Sequence, residues 1–201
     1  MFETAAIVLA AGLSRRMGAI NKLLIEIDGV PMIRRPVQIC LEVCDGPVTI
    51  VTGHQREAVE QALAGLEISF VFNPDFEAGQ KTSVAAGLVA STDAKDTLIA
   101  LGDQPFLRVE HISWLLTQHR QNENPLITVP IKEGQRGNPL VVPHSLKPML
   151  LADRRSPGCQ KFTRENPALV CFAATQISAF FSDIDTPEEL ETLQIDRETV
   201  L

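Results

Sequence analysis

The sequence predicts an α/β fold: a three-layer, Rossmann-like arrangement in which a mostly parallel sheet carries helices on both faces. Two observations predict it. Apolar runs fit for buried strands recur at regular intervals, and segments with helical patterning stand between them. Each intervening segment is also long enough for a crossover between parallel strands. At 201 residues, 45% hydrophobic and 21% charged, the chain can bury one full core as a single domain.

The first strand is predicted at Ala5–Leu9, an unbroken apolar run that gives way to small residues. The β-branched run Val48–Thr52 is the second. Ile68–Phe72, Thr97–Leu101 and Leu126–Pro130 complete the set. Helices are expected over Met32–Val43, Glu57–Ala64, Ser83–Val89 and Val109–His119, with Trp114 on the apolar face of the last. Beyond Pro130 the pattern loosens: QRGNPLVVPHS, RRSPG and ENP set proline and glycine densely among short segments, leaving room for a small lobe. The last element is clearer, because Thr186, Pro187 and Glu189 supply a cap, a first-turn proline and a capping-box acid before ELETL. There is no internal repeat and no low-complexity tract.

Charge and composition exclude several function classes. A formal charge of −7 argues against a general nucleic-acid binder, so any anion site has to be local. Neither a basic leader nor an apolar run of spanning length is present, and a cytoplasmic protein without membrane contact is expected. Cys40, Cys44, Cys159 and Cys171 lack zinc-site spacing and read as reduced thiols, with Cys40 and Cys44 packing on one helix face.

The chemistry concentrates where strands end. In IVLAAGLSRRMG (Ile7–Gly18), followed by Lys22, a strand runs into Gly12 and Gly18, which permit tight turns, while Ala10 and Ala11 leave the backbone open to a ligand. Arg15, Arg16 and Lys22 add three cations, and no acid occurs from Ala5 through Ile25 to pair with them locally. A phosphate clamp is written this way, and so is a basic surface loop. The three-glycine dinucleotide fingerprint is absent, as is the acid it requires after the second strand, which disfavours hydride transfer. AGQKTSV is not a P-loop, but Gly79, Thr82 and Ser83 stand where a helix start attracts anions. In TLIALGDQPFL, Asp103 follows a buried strand directly and reaches the same crevice, either to pair with the cations or to hold a magnesium ion on a triphosphate. Asp183 and Asp185 in SDIDTPEEL offer a second carboxylate, Asp185 being the better placed at the turn.

Taken together, LAAGLSRRMG with Lys22, GQKTS, LGDQP, RGNP and DIDTPEEL resemble, in order and across nearly the whole chain, the motifs of the nucleotidyltransferases that mature the molybdenum cofactor. The LAAG form resembles the cytidylyltransferase branch; the guanylyl-transferring branch usually has LAGG. The resemblance implies a nucleotide-diphospho-sugar transferase-like fold and transfer of CMP from CTP to the terminal phosphate of molybdopterin, with release of pyrophosphate. It implies Mg²⁺ held by Asp103 and Asp185, and catalytic roles for Arg16, Lys22 and Asp103. Nucleotide binding falls to Leu9, Ala10, Ala11, Gly12, Ser14, Arg15, Arg16, Gly18, Lys22, Gly79, Thr82 and Ser83. The acceptor falls to Arg136, Gly137 and Asn138, with Lys132 and His144 as weaker candidates; His54 and His111 read as surface or capping residues. On this view residues 1–130 form the nucleotide-binding half and 131–201 the acceptor-side half, and a molybdoenzyme or its chaperone is a further partner. Gln80, Lys81 and Asn138 depart from the pattern, since many relatives carry small uncharged residues at the first two positions and histidine at the third. Open alternatives are GMP transfer from GTP, another phosphorylated acceptor, a non-catalytic cofactor carrier, and a nucleotide sensor.

Overall fold

The computed structural model describes residues 1–18, 20–91, 94–152, 159–186 and 188–189. β1 (Phe2–Ala10) lies at the centre of the main sheet and is buried from Thr4 onward. After a two-residue hairpin, β2 (Glu26–Ile27) and β3 (Val30–Pro31), the chain runs through α1 (Arg34–Val43), β4 (Val48–Thr52), α2 (Arg56–Ala62) and β5 (Ser69–Phe72). The hairpin turns through Asp28 and Gly29, both at positive φ, a two-residue geometry that matches strand twist. Then come α3 (Gln80–Ala90), β6 (Ala94–Leu101), α4 (Val109–Arg120), β7 (Ile127–Lys132), β8 (Gln135–Arg136), β9 (Leu140–Pro143), α5 (Lys147–Ala152), α6 (Cys159–Glu165) and β10 (Val170–Ala174).

The main sheet is ordered β10-β7-β9-β6-β1-β4-β5, with β8 folded back on β7. Pairing is parallel for β1 with β4 and β6, for β4 with β5, and for β7 with β10. Among the described strands of this sheet only β9 and β8 run antiparallel, and both come from the stretch where the sequence pattern loosens. All four residues of β9 are buried, because it pairs with β6 on one side and β7 on the other.

Alternation along β1 sorts the core into two layers. Ala6, Val8 and Ala10 pack with Val37 and Cys40 of α1, Val59 of α2, Leu115 of α4 and Phe180. Ile7 and Leu9 turn to the opposite face, with Val84 and Leu88 of α3, Leu150 of α5 and Cys159 of α6. α3 rides close to the sheet because Gly87 carries no side chain: a Cβ there would stand 2.6 Å from Ile7 Cγ2 and 3.0 Å from Val51 Cγ2.

Element ends move by a few residues from their predicted positions. α3 begins at Gln80 instead of Ser83, since Gly79 (φ 102°) turns the chain sharply enough to start the helix at once. All four cysteines are free. Burial pushes the Cys40 thiol well above its ordinary range, as expected for a packed and unreactive group. Thr186 and Glu189 form the predicted reciprocal cap: Glu189 N–H donates to Thr186 Oγ1 at 3.3 Å, and Thr186 N–H donates to Glu189 Oε2 at 3.1 Å. Pro187, the rest of the helix predicted over ELETL and the RRSPG stretch lie outside the described residues. Among the described residues no helix is long and apolar enough to cross a membrane.

Candidate active site

From β1 the chain adds β4 and β5 on one side, then crosses back to place β6 on the other, so the strand order reverses between β1 and β6. A crevice opens beyond the carboxyl ends of strands at such a point. Leu9 and Leu101 are register partners there, and both line two adjoining clefts of about 500 and 790 Å³. Gly79 and Gln80 are shared walls as well.

The loop after β1 is shaped by its own hydrogen bonds. Ser14 sits in the left-handed region (φ 49°), and its carbonyl accepts from Met17 N–H at 2.8 Å, while Met17 anchors the turn in the core. Ser14 Oγ accepts from Lys22 N–H at 3.2 Å. Asn21 caps the short turn Lys22–Leu24 by accepting from Leu23 N–H at 3.1 Å, and Leu23 is buried beneath it. Lys22 is thereby held at the mouth of β1. Across the crevice, Gly102 N–H donates to Leu9 O at 3.0 Å and Ile184 N–H to Asp103 O at 3.1 Å. Ile184 is buried against Ile27 and Met32, so alternation turns its neighbours Asp183 and Asp185 away from that small core.

The charges converge. Lys22 Nζ lies 2.6 Å from Asp103 Oδ2 and 2.6 Å from Asp185 Oδ1, and Arg16 Nη2 lies 2.7 Å from Asp185 Oδ2. Burial alone would pull the Lys22 ammonium down; Asp103 and then Asp185 outweigh it and hold the group above its ordinary value. Burial likewise pushes Asp185 up, but the hydrogen bond and charge of Lys22, with Arg16, keep its carboxyl below the usual value. Asp183 goes the other way, raised by burial and by the carboxylates of Asp103 and Asp185. Carboxylate oxygens of Asp103, Asp183 and Asp185 lie within 4.8 Å of one another. Asp103 Oδ1 is buried without a hydrogen-bond partner. An all-oxygen set with one unpartnered carboxylate oxygen fits a hard divalent cation such as Mg²⁺. Asp183, the less favoured carboxylate in the sequence, belongs to the cluster too.

Of the predicted nucleotide residues, Leu9, Ala11, Gly12, Ser14, Arg15, Arg16, Lys22, Gly79 and Ser83 line the smaller cleft together with Asp103 and Asp185. Ala10 faces the core, Gly18 (φ 67°) lies outside the lining, and the Thr82 hydroxyl bonds to the carbonyls of Asp75 and Gly79. Arg136, Gly137 and Asn138 line the larger cleft, where Arg136 donates to Thr163 Oγ1 at 2.9 Å and stacks on Phe172. His144 is exposed after Pro143, which pairs with Asp96 near the start of β6, at the end of the sheet away from the crevice. Trp114 packs on Phe180, as does His111.

Two site-shaping residues carried a sequence signal that the motif reading did not use. Asn73, in the turn signal NPD after β5, is buried and donates to Thr82 Oγ1 at 2.9 Å and Ser83 Oγ at 3.0 Å, fixing the start of α3. Gln104, adjacent to Asp103, is buried and donates to backbone carbonyls on two other segments. Phe76 and Glu77 also line the smaller cleft, with Phe76 packed against Gly53 so closely that a Cβ there would sit 2.6 Å from its own.

Comparison with known proteins agrees with this geometry. The model of the MobA-like NTP transferase domain matches residues 6–169. A relative from Paenarthrobacter nicotinovorans, named nicotine blue oxidoreductase, is 30% identical over 193 residues, covering 93% of this chain and 94% of its own. A probable molybdenum cofactor guanylyltransferase from Natronomonas pharaonis is 29% identical over 115 residues, 57% of this chain and 56% of that relative. Among solved structures, a nucleotidyl transferase from Methanothermobacter thermautotroptrophicus superposes with a TM-score of 0.81 at 20% identity, covering 99% of both chains. With the family model spanning the end of β1, the loop after it and Asp103, the chain belongs to the MobA-like NTP transferase domain family and is a nucleotidyltransferase.

Proposed function

We propose that this nucleotidyltransferase transfers CMP from CTP to the terminal phosphate of molybdopterin, releasing pyrophosphate. One observation carries the reading: a cleft of mixed charge and a cleft whose described charges are all cationic meet at Leu9 and Leu101. The smaller is lined by Arg15, Arg16 and Lys22 together with Glu77, Asp103, Asp183 and Asp185, a mixture suited to a triphosphate that arrives with a divalent cation. The larger is lined by Lys81, Arg136, Lys161 and Arg164 with no carboxylate among its described residues, over an apolar floor that includes Val129 and Leu140. That cleft suits an anionic acceptor with an apolar body.

Here the chain supplies alignment and charge. An oxygen of the acceptor phosphate attacks the α-phosphorus, the bond from that phosphorus to the bridging oxygen breaks, and pyrophosphate leaves. A phosphate monoester has its second pKa near ~6, so the attacking oxygen is already largely deprotonated and no strong base is required. Backbone groups of Ala10 to Gly12 take the base and ribose, Arg15 and Arg16 the triphosphate tail, and Lys22 the α-phosphate. Asp103 and Asp185 would hold Mg²⁺, which when bound supplies charge neutralisation on the leaving pyrophosphate. Residues 1–130 serve as the nucleotide half and 131–201 as the acceptor half, Arg136, Gly137 and Asn138 among them, and the enzyme works in the cytoplasm and hands its product to a molybdoenzyme or its chaperone.

The test offers each of the four ribonucleoside triphosphates with molybdopterin and Mg²⁺ and follows pyrophosphate. Turnover with CTP supports the proposal; turnover with GTP alone replaces CMP by GMP, the activity named for the Natronomonas relative. A second reading is favoured by the full-length relative named as an oxidoreductase. It predicts a redox reaction without release of pyrophosphate. A non-catalytic carrier would still deliver cofactor after Asp103→Ala, whereas the enzyme would lose turnover.

A further inference from the structure

We infer that Gln104 is a positioning residue that sets the nucleotide cleft against the acceptor cleft; the inference rests on the assignment of the two clefts above. Its side chain is 2% exposed, and Nε2 stands 3.2 Å from Asn138 O, 3.2 Å from Phe180 O and 3.5 Å from Ala179 O. Those carbonyls lie on the acceptor segment and on the turn that leads into Asp183 and Asp185. The same segments are tied by backbone bonds: Asn138 N–H donates to Phe180 O at 2.8 Å, and Ile184 N–H to Asp103 O at 3.1 Å. Gly137 leaves no slack, since a Cβ there would lie 2.7 Å from Phe180 O. Phe180 is itself fixed, fully buried against Trp114 and His111.

One carboxamide therefore closes a ring of three segments: Asp103, the Arg136–Asn138 segment and the approach to Asp185. A buried amide that bonds to carbonyls on separate segments resists their sliding apart, because a parted carbonyl loses a hydrogen bond away from water. A shift of about 1 Å between attacking oxygen and α-phosphorus is enough to cost about a hundredfold in rate. Gln104 lines neither cleft, so its effect is geometric.

The test uses hydrogen–deuterium exchange on the full chain, wild type against Gln104→Met, with and without Mg²⁺ and CTP. In the wild type, nucleotide slows exchange in residues 9–16 and 183–185, and also in 136–138. In Gln104→Met the first two regions stay protected and 136–138 does not, while exchange of the Asn138 and Ile184 amides without ligand rises about tenfold. In turnover, the acceptor KM rises about tenfold and the CTP KM stays within about twofold, a split that general loosening does not produce. Gln104→Asn, which keeps the amide one methylene short, falls between, and it carries the same comparison if the Met variant does not fold. Wild-type exchange at both amides in the variants overturns the inference, as does protection of 136–138 that survives the substitution. Should none of the four triphosphates protect residues 9–16 in the wild type, the nucleotide reading fails, and the ligand-free exchange of Asn138 and Ile184 still decides the clamp.

Discussion

Lys22→Met removes the cation from the centre of the site while keeping an unbranched side chain of similar reach. Each 2.6 Å contact to Asp103 and Asp185 has a gross Coulomb energy of about 6 kcal/mol at an effective dielectric constant near ~20. Desolvation of the ammonium offsets much of that. Side-chain exposures of 12% for Lys22, 17% for Asp103 and 22% for Asp185 put the pair between a surface bridge and a fully buried one, so the net loss is about 3 kcal/mol. For a domain of this size that lowers Tm by about 6–12 °C. The sign of the pH dependence follows. Asp185 lies below its ordinary 3.8, so its stabilisation is present above that value and is lost as pH falls through its lower folded pKa. Lys22 lies above 10.5, so its contribution is present below that value and is lost only as pH rises through its folded pKa. Asp183, held above 3.8, opposes Asp185 once ionised. Without Lys22 the three carboxylates repel one another, and the variant's deficit shrinks as acid protonates Asp183 and Asp185. Thermal unfolding at neutral pH and near pH ~4, with and without Mn²⁺, reads all of this; divalent cation should stabilise the variant more than the wild type. A drop in Tm under about 2 °C at neutral pH, or equal Mn²⁺ stabilisation of both proteins, refutes the charge-balance argument.

Asp103→Asn should retain the fold but weaken Mn²⁺ binding by at least about tenfold in a calorimetric titration, since it replaces a charged ligand oxygen by a neutral one. Arg16→Ala should change stability by less than about 1 kcal/mol, because that side chain is 68% exposed, yet raise the KM for the triphosphate; urea unfolding and steady-state kinetics separate the two effects. His119→Ala removes a buried ring that lies 3.0 Å from Asp96 Oδ1 and 2.8 Å from Thr128 Oγ1. It should cost about 1–3 kcal/mol in urea unfolding and leave both KM values alone, which makes it the control for unfolding effects. Gly87→Val should destabilise by at least about 1–3 kcal/mol, because the new branches meet Ile7 and Val51.

Much of the fold was legible because strand burial is written in residue type. VTIVT and TLIAL have no polar face to solvate, so they had to be central, and β4 and β6 are. What the sequence hid is direction. PLVVP reads equally well as a loop or a strand, and its insertion as antiparallel β9 depends on β6 and β7 offering an unfilled position, a fact of the assembled sheet. The site shows the same division. The cationic loop and Asp103 were legible because each follows a buried strand directly. The cluster role of Asp183 and the triple contact of Gln104 depend on a turn that brings residues 179–185 back over Asp103, and no local pattern encodes that return.

The missing acids between Ala5 and Ile25 acquire their meaning here. Lys22 and Arg16 are paired, but with residues far along the chain, so these two charges are satisfied only in the folded state. A local acid would hold the cations in the unfolded chain as well and would weaken the specificity of this closure. The pairing also sets the order of electrostatic demands. Three cations and four carboxylates line the smaller cleft, so a bare triphosphate meets no net attraction there, whereas the four charged residues described in the larger cleft are all cations. A divalent cation that neutralises the carboxylates turns the first cleft attractive without altering the second. Under the proposed function, dependence on divalent cation therefore belongs to the smaller cleft and simple ionic screening to the larger, because the carboxylates line the smaller one alone.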